Sequence, residues 1–152
     1  MNDTIKLVMP VDGEVLPLSE VQDYLFSKRI IGEGLAINPK DNFIISPVEG
    51  EITLVYDTKH AIVLKTKEGL QILIHVGIDS VKLEGRGLAT YVKVGDKVSK
   101  GDKLMFFDKD FLEKKASSIT PIIITNPELV ESFDINYKAS KCGDTLLVIK
   151  LK

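Results

Sequence analysis

The chain alternates short apolar runs with polar turns, and helical periodicity is scarce. The runs 104–107 and 146–149 consist of Leu, Met, Phe, Val and Ile, which is typical of β-strands. Each run follows a Gly-Asp pair, at 101–102 and 143–144, and a third such pair stands at 95–96. Glycine and aspartate are both typical of turns, so each pair predicts a turn before the strand. Many short strands separated by turns predict an all-β chain folded as an antiparallel β-sandwich or barrel.

An internal repeat supports this prediction. The segment Met-Pro-Val-Asp-Gly-Glu-Val at 9–15 recurs as Ser-Pro-Val-Glu-Gly-Glu-Ile at 46–52. Both copies contain a Pro-x-x-Gly turn that leads into an apolar strand. The repeat therefore indicates two similar turn-to-strand units within one fold.

Helix signals are few and short. A capping-box pattern at 19–22 predicts one or two helical turns, and Asp108 is placed to cap a helix that runs to Lys115. The pair Asn-Pro at 126–127 predicts a further short helix over 128–132. We expect these helices to be peripheral connectors.

The only two histidines flank a predicted hairpin. The runs 60–66 and 69–75 read as strands joined by a tight turn, and pairing them about that turn sets His60 opposite His75. Directly opposed side chains have Cβ atoms about 4.5 to 5.5 Å apart, so the two imidazoles could share one ligand. A bulge at Gly69 would shift the register by one and send one imidazole to the other face. The competing interpretation is two unrelated histidines, one buried and one on the surface.

Composition limits the number of domains, the class of partner and the cellular compartment that we expect. A length of 152 residues suits a single domain, 1–152, and 20 basic against 22 acidic residues without a basic block argue against a nucleic-acid partner. The chain begins without a secretory-signal pattern and has no run of about 18 apolar residues, so we expect no direct membrane insertion. The single cysteine, Cys142, fits a reducing compartment, and we expect a cytoplasmic protein.

Around the histidines the motifs become specific. The segment Gly-Leu-Gln-Ile-Leu-Ile-His-Val-Gly-Ile-Asp-Ser-Val at 69–81 resembles the active-site signature of the glucose-type enzyme IIA family of the bacterial phosphoenolpyruvate-dependent sugar phosphotransferase system. Thr-Lys-His-Ala at 58–61 is similar to that family's second-histidine motif. The similarity extends over essentially the whole chain. Ser80 stands where the family usually has threonine, which keeps the hydroxyl group.

The resemblance implies a duplicated hybrid-motif β-sandwich and a phosphotransferase component that relays phosphoryl groups without a cofactor. His75 would accept the group on Nε2 from the phosphohistidine of the phosphocarrier protein HPr. It would pass the group to the cysteine of an enzyme IIB domain of the IIB/IIC permease, for uptake of a glucose-type sugar. His60 would be the partner of His75, and Thr58 would help to fix the pair.

Elementary chemistry agrees with those roles. An imidazole with a pKa of about 6.5 is largely neutral at cytoplasmic pH and can attack phosphorus without a separate base. Phosphoryl transfer depends mainly on positioning and on stabilisation of the transferring oxygens. A second imidazole that donates an N–H would supply such stabilisation without a metal.

The resemblance also implies a docking patch for the partner proteins around the histidines. An exposed apolar collar of this kind is typical of a protein interface. Asp23 and Asp79 would lie beside it and pair with basic residues of the phosphoryl donor. The residues expected in the collar are Leu25, Phe26, Ile30, Ile31, Tyr56 and Val81.

Two other functions compete with the relay. In a zinc-binding hydrolase, His60 and His75 would be ligands and Asp79 a further candidate, but a catalytic zinc normally takes three protein ligands and the chain has only two histidines. Adventitious zinc on the two histidines would be compatible with the relay function. A non-catalytic regulator that docks through the same patch is the second alternative, and phosphate on His75 would switch its charge.

Overall fold

The computed structural model describes residues 4–152, and the first three residues of the predicted 1–152 domain lie outside this range. Strands dominate the described chain, and its helices are short. The strands are β1 (Thr4–Val8), β2 (Gly13–Pro17), β3 (Glu33–Pro39), β4 (Phe43–Ile45), β5 (Gly50–Val55), β6 (Ala61–Lys65), β7 (Gln71–His75), β8 (Leu88–Thr90), β9 (Lys97–Val98), β10 (Lys103–Phe107), β11 (Thr120–Ile124), β12 (Val130–Ile135) and β13 (Thr145–Leu151). The α-helices are α1 (Tyr24–Ser27) and α2 (Lys109–Lys115), and 3₁₀ turns lie at Leu18–Glu20, Ser80–Leu83 and Pro127–Leu129.

The described strands form three antiparallel sheets. The largest has seven strands in the order β2-β3-β11-β7-β6-β5-β9, and two three-stranded sheets have the orders β1-β13-β12 and β4-β10-β8. This confirms the all-β, antiparallel prediction, and within residues 4–152 the strands do not close into one barrel. None of the helices in this range has the length and apolar character needed to cross a bilayer.

The centre of the large sheet is covered on both faces. On β7, Ile72 and Ile74 face the main core, whereas Leu73 belongs to a second, smaller apolar cluster. Alternate residues of a strand point to opposite faces, so His75 lies on the same face as Leu73. The smaller cluster consists of Leu18, Val21, Phe26, Ala36, Ala61, Leu73, Ile78 and Ile123. The end of β7 that carries His75 therefore lies on the face of the sheet that the second cluster covers.

The Gly-Asp turns predicted from the sequence are confirmed, and all three share one construction. Gly95, Gly101 and Gly143 have φ of +96°, +96° and +95°, a conformation that glycine adopts without steric cost. The aspartate after each glycine accepts a hydrogen bond from a backbone N–H three residues earlier. Each turn thus closes on its own side chain before β9, β10 or β13 begins. The repeated Pro-x-x-Gly turns likewise open β2 and β5.

The helix predictions are partly right. Asp108 caps α2 as predicted, because its Oδ1 accepts from the backbone N–H of Phe111 at 3.1 Å. The first helix is capped by Asp23 rather than by the 19–22 pattern, whose first two residues lie in a 3₁₀ turn. Of the helix predicted over 128–132 after Asn126, only the 3₁₀ turn Pro127–Leu129 is present, and the rest of the prediction is wrong because β12 begins at Val130 and pairs with β13.

The register predicted for the histidine hairpin is wrong by one residue. Ala61, not His60, is opposite His75, and the pairing runs on to Lys65 opposite Gln71. The cause is the turn, in which Gly69 has φ of +96°. The carbonyl of Thr66 accepts from the N–H of Gly69, whereas the N–H of Thr66 donates to the carbonyl of Leu70, so that two residues are opposite Thr66. The alternative of a bulge at Gly69 is therefore the one that the chain adopts.

Candidate functional site

The two histidines meet in spite of the shifted register. Their ring centroids are 4.7 Å apart with an interplanar angle of 78°. His60 lies just before β6, after a turn in which Lys59 has φ of +60°, so its side chain is not held to the alternation of the strand. The carbonyl of His60 accepts from the backbone N–H of Val76 at 2.7 Å, which joins the two segments next to the rings. The predicted contact between the two histidines is confirmed, although the strand pairing from which it was predicted is not the one observed.

The position of His75 is fixed by the backbone that follows it. Its Nδ1 lies 2.8 Å from the carbonyl oxygen of Gly77. A carbonyl oxygen only accepts, so Nδ1 carries the proton and the lone pair of the neutral ring is on Nε2. Gly77 has φ of +83°, and a Cβ there would lie 2.4 Å from the carbonyl oxygen of Ser117. Glycine is therefore required at this position to turn the acceptor toward His75.

His60 is held by Thr58. The hydroxyl oxygen of Thr58 lies 2.6 Å from Nδ1 of His60. His60 is only 3% exposed, so this contact gives its buried ring a hydrogen-bond partner. The structure thus brings together the three residues that the resemblance implied as the reacting group, namely Thr58, His60 and His75.

Two aromatic rings bracket the pair. Phe26 stands edge-on to His75 with centroids 5.1 Å apart, and Tyr56 stands edge-on to His60 with centroids 5.2 Å apart. Four rings therefore form a row in the order Phe26, His75, His60 and Tyr56. Edge-to-face packing at these distances is a favoured geometry, and it restricts rotation of both imidazoles.

Both imidazoles are biased toward the neutral form. Burial, with a smaller contribution from the neighbouring His75, lowers the pKa of His60 to about 4. Burial also lowers the pKa of His75, and the Gly77 carbonyl and the carboxylate of Asp23 partly oppose this. Both rings are therefore uncharged near neutral pH, which leaves His75 with the lone pair that a nucleophile requires.

The lowered pKa of His60 predicts a pH-dependent stability. Between pH 6.5 and about 4 the unfolded chain binds a proton on this ring that the folded chain does not, so the free energy of unfolding falls as the pH falls through that window. We expect the contribution to reach about 3 kcal/mol. Denaturant unfolding of the wild type and of His60→Gln, which does not titrate, should give curves that diverge across this range. Parallel curves would rule out the inferred burial of an uncharged His60.

Exposed apolar side chains lie on the segments next to the histidines. Leu25 is 48%, Ile30 57% and Val81 53% exposed, and Tyr56, which contacts His60, is also exposed. We call these four side chains, together with Tyr24, which is 68% exposed, the collar. The sequence prediction did not include Tyr24, although its place in the helical turn next to Leu25 was a usable signal.

Phe26 does not belong to the exposed collar. It is 3% exposed and packs in the second cluster, and Ile31 is half-buried against the same cluster. The expectation that Phe26 forms an exposed docking surface is therefore wrong, because its ring supports His75 from within. Asp23 caps α1 through a 2.9 Å bond from the backbone N–H of Leu25, and Asp79 is exposed with φ of +61°.

The zinc-hydrolase alternative finds no support in this arrangement. Among residues 4–152, no group of three or more His, Cys, Asp or Glu side chains could hold a metal ion. Asp79 is the acidic residue that the sequence offered as a further ligand, and it does not complete such a group. The chemistry available at the site is that of two neutral imidazoles and a hydroxyl.

Known proteins resemble this chain over most of its length. Residues 5–130 match the family model described as phosphoenolpyruvate-dependent sugar phosphotransferase system, EIIA 1. The chain is 51% identical over 127 residues to the PTS system glucose-specific EIIA component of Oceanobacillus iheyensis, covering 83% of this chain and 77% of that protein. It is also 39% identical to part of the PTS system glucose-specific EIICBA component of Staphylococcus carnosus, covering 93% of this chain and 21% of that protein.

A solved structure has the same fold. Glucose permease IIA from Mycoplasma capricolum superposes with a TM-score of 0.89 and 37% sequence identity, covering 97% of this chain and 96% of that one. The fold and the sequence similarity therefore extend over nearly the whole of the described chain.

Proposed function

The chain belongs to the EIIA 1 family of the phosphoenolpyruvate-dependent sugar phosphotransferase system, and on that premise we propose that His75 is the residue on which it carries the phosphoryl group. The observation that carries this proposal is the 2.8 Å contact of Nδ1 with the Gly77 carbonyl. It leaves the lone pair on Nε2 of a neutral ring. In the described chain no hydrogen-bond partner competes for that nitrogen.

The transfer we propose is a direct displacement. Nε2 of His75 attacks the phosphorus of the phosphohistidine on HPr, the new N–P bond forms, and the old N–P bond breaks with its electron pair returning to the donor imidazole. The proton on Nδ1 of His75 stays in place, held by Gly77. In the second transfer the thiolate of an enzyme IIB cysteine attacks the same phosphorus, and His75 leaves as a neutral ring.

His60 serves the transferring oxygens in this proposal. When the hydroxyl of Thr58 donates to Nδ1, the proton of the His60 ring is on Nε2. That N–H is available to a phosphate oxygen on the adjacent ring. A preorganised donor in a site largely shielded from water stabilises developing charge more than the same donor does in water.

The partners and setting of the whole chain are part of the proposal. EIIA components work with IIB and IIC components, and the Staphylococcus carnosus relative is a single EIICBA protein. We propose that residues 1–152 act as one EIIA domain in the cytoplasm, that HPr is the donor, and that a glucose-type sugar is the cargo of the acceptor permease. The names of the relatives support the choice of sugar.

The relay is tested by reconstitution. The protein is incubated with phosphoenolpyruvate and the two general phosphotransferase proteins, and its intact mass is measured. We expect one phosphoryl group, labile in acid and stable in base as a phosphoramidate is. An unchanged mass would refute the proposed relay.

The collar supports a second candidate function, a regulator that docks on other proteins according to its phosphorylation state. A phosphohistidine would place about −1.5 to −2 charges in the middle of an apolar surface, which would weaken an apolar contact and favour a basic one. Pull-down of candidate transporters and metabolic enzymes with and without phosphate on His75 tests this function. It can coexist with the relay.

The collar also yields a mutational prediction. Ile30→Asp should slow transfer from HPr and to IIB by about tenfold or more with little change in melting temperature, because a charge at an interface core costs binding but not folding. The matched control is Val94→Asp. Val94 is 60% exposed, and Ile30 is 57% exposed. Val94 precedes β9, which pairs with the start of β5, whereas the collar residue Tyr56 follows the end of β5.

Phe26→Ser serves as the opposite case. We expect it to destabilise the fold by about 3 to 5 kcal/mol, because the ring is buried against His75 and the second cluster. Transfer rates beside thermal melts separate the variants. Equal transfer rates in Ile30→Asp and Val94→Asp would show that the collar does not dock the partners.

A further inference from the structure

The turn that follows His75 is held at both of its peptide planes. In the plane between Gly77 and Ile78, the backbone N–H of Ile78 donates to the carbonyl of Ser117 at 3.1 Å. The N–H of Ser117 donates in turn to the carbonyl of Ile78, in the next plane, at 3.3 Å. In the plane between Val76 and Gly77, the carbonyl of Val76 accepts from the hydroxyl of Ser80 at 2.6 Å. The first anchor is made by backbone alone, whereas the second depends on a side chain.

Ser80 is fully buried, with no exposed surface. A Cβ placed on Gly77 would lie 3.0 Å from Cβ and 3.1 Å from Oγ of Ser80, so the serine side chain packs directly against the Gly77 backbone. The hydroxyl therefore does two things at one place. It satisfies a carbonyl at the end of β7, and it fills the space that a turn of different shape would use.

The Gly77 carbonyl, which His75 uses, lies in the first of these planes, and His75 is joined to the second plane through Val76. The direction of that carbonyl relative to the His75 ring is therefore set by φ and ψ of Gly77, which are fixed only when both planes are held. That oxygen accepts from Nδ1 of His75 and so decides which ring nitrogen carries the proton.

We propose that Ser80 is a positioning residue for the phosphoryl transfer. Its hydroxyl holds the Val76 carbonyl, and together with the Ser117 anchor this fixes how the Gly77 carbonyl is directed toward His75. The Gly77 carbonyl in turn keeps the lone pair of His75 on Nε2. The inference rests on the proposed role of His75 as the phosphoryl acceptor. It adds a residue that acts only through the tautomer and orientation of the His75 ring.

The test measures the tautomer directly. The ¹⁵N chemical shifts of His75 are recorded on the unphosphorylated wild type and on Ser80→Ala at a pH where the ring is neutral. We expect a protonated Nδ1 and a bare Nε2 in the wild type. In Ser80→Ala the two shifts should move toward each other, as the proton is shared between both nitrogens, and phosphorylation by HPr should slow by about fivefold to tenfold. Ser80→Thr, which keeps the hydroxyl, should have nitrogen shifts and a phosphorylation rate closer to those of the wild type than Ser80→Ala has.

A matched control separates positioning from stability. Ser46 is also fully buried, and its hydroxyl donates to the Val48 carbonyl at 2.7 Å in the turn before β5. Ser46→Ala should lower the melting temperature about as much as Ser80→Ala while leaving the His75 shifts and the phosphorylation rate unchanged. If Ser80→Ala does not fold, Ser80→Cys, whose thiol is a weaker donor, is measured in its place.

The outcomes are distinct. Wild-type nitrogen shifts in a folded Ser80→Ala or Ser80→Cys would overturn the proposal and leave Ser80 a structural residue only. Because the shifts are read before any phosphate is added, they decide the role of Ser80 independently. Failure of wild-type phosphorylation would instead refute the proposed function of His75.

Discussion

Replacing His75 by alanine is expected to abolish phosphorylation of the protein, because it removes the nitrogen that we propose as the acceptor of the group. His75 is the ring whose Nδ1 is tied to a carbonyl and whose Nε2 is left with its lone pair. His60 cannot take over in this geometry, because its ring is only 3% exposed and its Nδ1 is engaged by Thr58. Incubation with phosphoenolpyruvate and the general proteins, followed by intact mass, should show one phosphoryl group in the wild type and none in the variant.

A second substitution guards against a trivial loss of structure. His75→Ala removes the ring that packs on Phe26 at 5.1 Å and leaves a space beside the second cluster. His75→Gln fills more of that space without a nucleophilic nitrogen and should be equally unreactive. Both variants should retain cooperative thermal unfolding. Labelling of either variant to the wild-type extent would refute the assignment of His75 as the phosphoryl acceptor.

The parts of the fold that were predictable are those encoded by local chemistry. Each Gly-Asp turn contains its own closing hydrogen bond and its own positive-φ glycine, so turns such as those at 95–96 and 143–144 carry their structure in a few adjacent residues. The cap of α2 by Asp108 is local in the same way. Such features are predictable because the local bond is kept when the turn also bonds to a distant segment, as Gly143 does to Met9.

The hairpin register shows where local chemistry misleads. Glycine at position 69 is compatible with a two-residue turn and with the longer turn that carries a bulge, and the two differ by one residue in every pairing that follows. The structure has the longer turn, which places Ile72 and Ile74 on the main core and Leu73 on the second cluster. The choice between the turns is therefore made by burial on both faces of the sheet, which the sequence of the hairpin does not contain.

Phe26 illustrates the same limit at the site. Its neighbour Leu25 is exposed and Phe26 is buried, and the difference depends on a cluster assembled from positions as far apart as Leu18 and Ile123. The role of the Gly77 carbonyl was not predicted for a related reason, since a backbone acceptor has no side chain to mark it. A signal was nevertheless present, because a glycine two residues after a reactive histidine indicates a backbone conformation closed to other residues.

His60→Gln is expected to separate the two transfers of the relay. The variant should still accept phosphate from HPr, because the nucleophile and its Gly77 contact are unchanged. Onward transfer to IIB should slow by roughly 30-fold to 1,000-fold, or about 2 to 4 kcal/mol in the barrier. Glutamine can donate one hydrogen bond, but it lacks the edge-on contact with Tyr56 and the bond between Nδ1 and Thr58 that orient the ring.

Charge adds to the loss of orientation. The pKa of His60 is about 4 beside a bare His75, but a phosphoryl group on His75 brings negative charge next to the ring and raises that pKa. The imidazole can then gain positive character as the phosphoryl group departs, which an amide cannot. Rapid-quench transfer from the labelled variant to a IIB domain measures the onward step alone, and a lesser effect on acceptance from HPr should be seen in the same preparation. Onward transfer at the wild-type rate would mean that the contact between the two rings, 4.7 Å apart, packs the site without serving its chemistry.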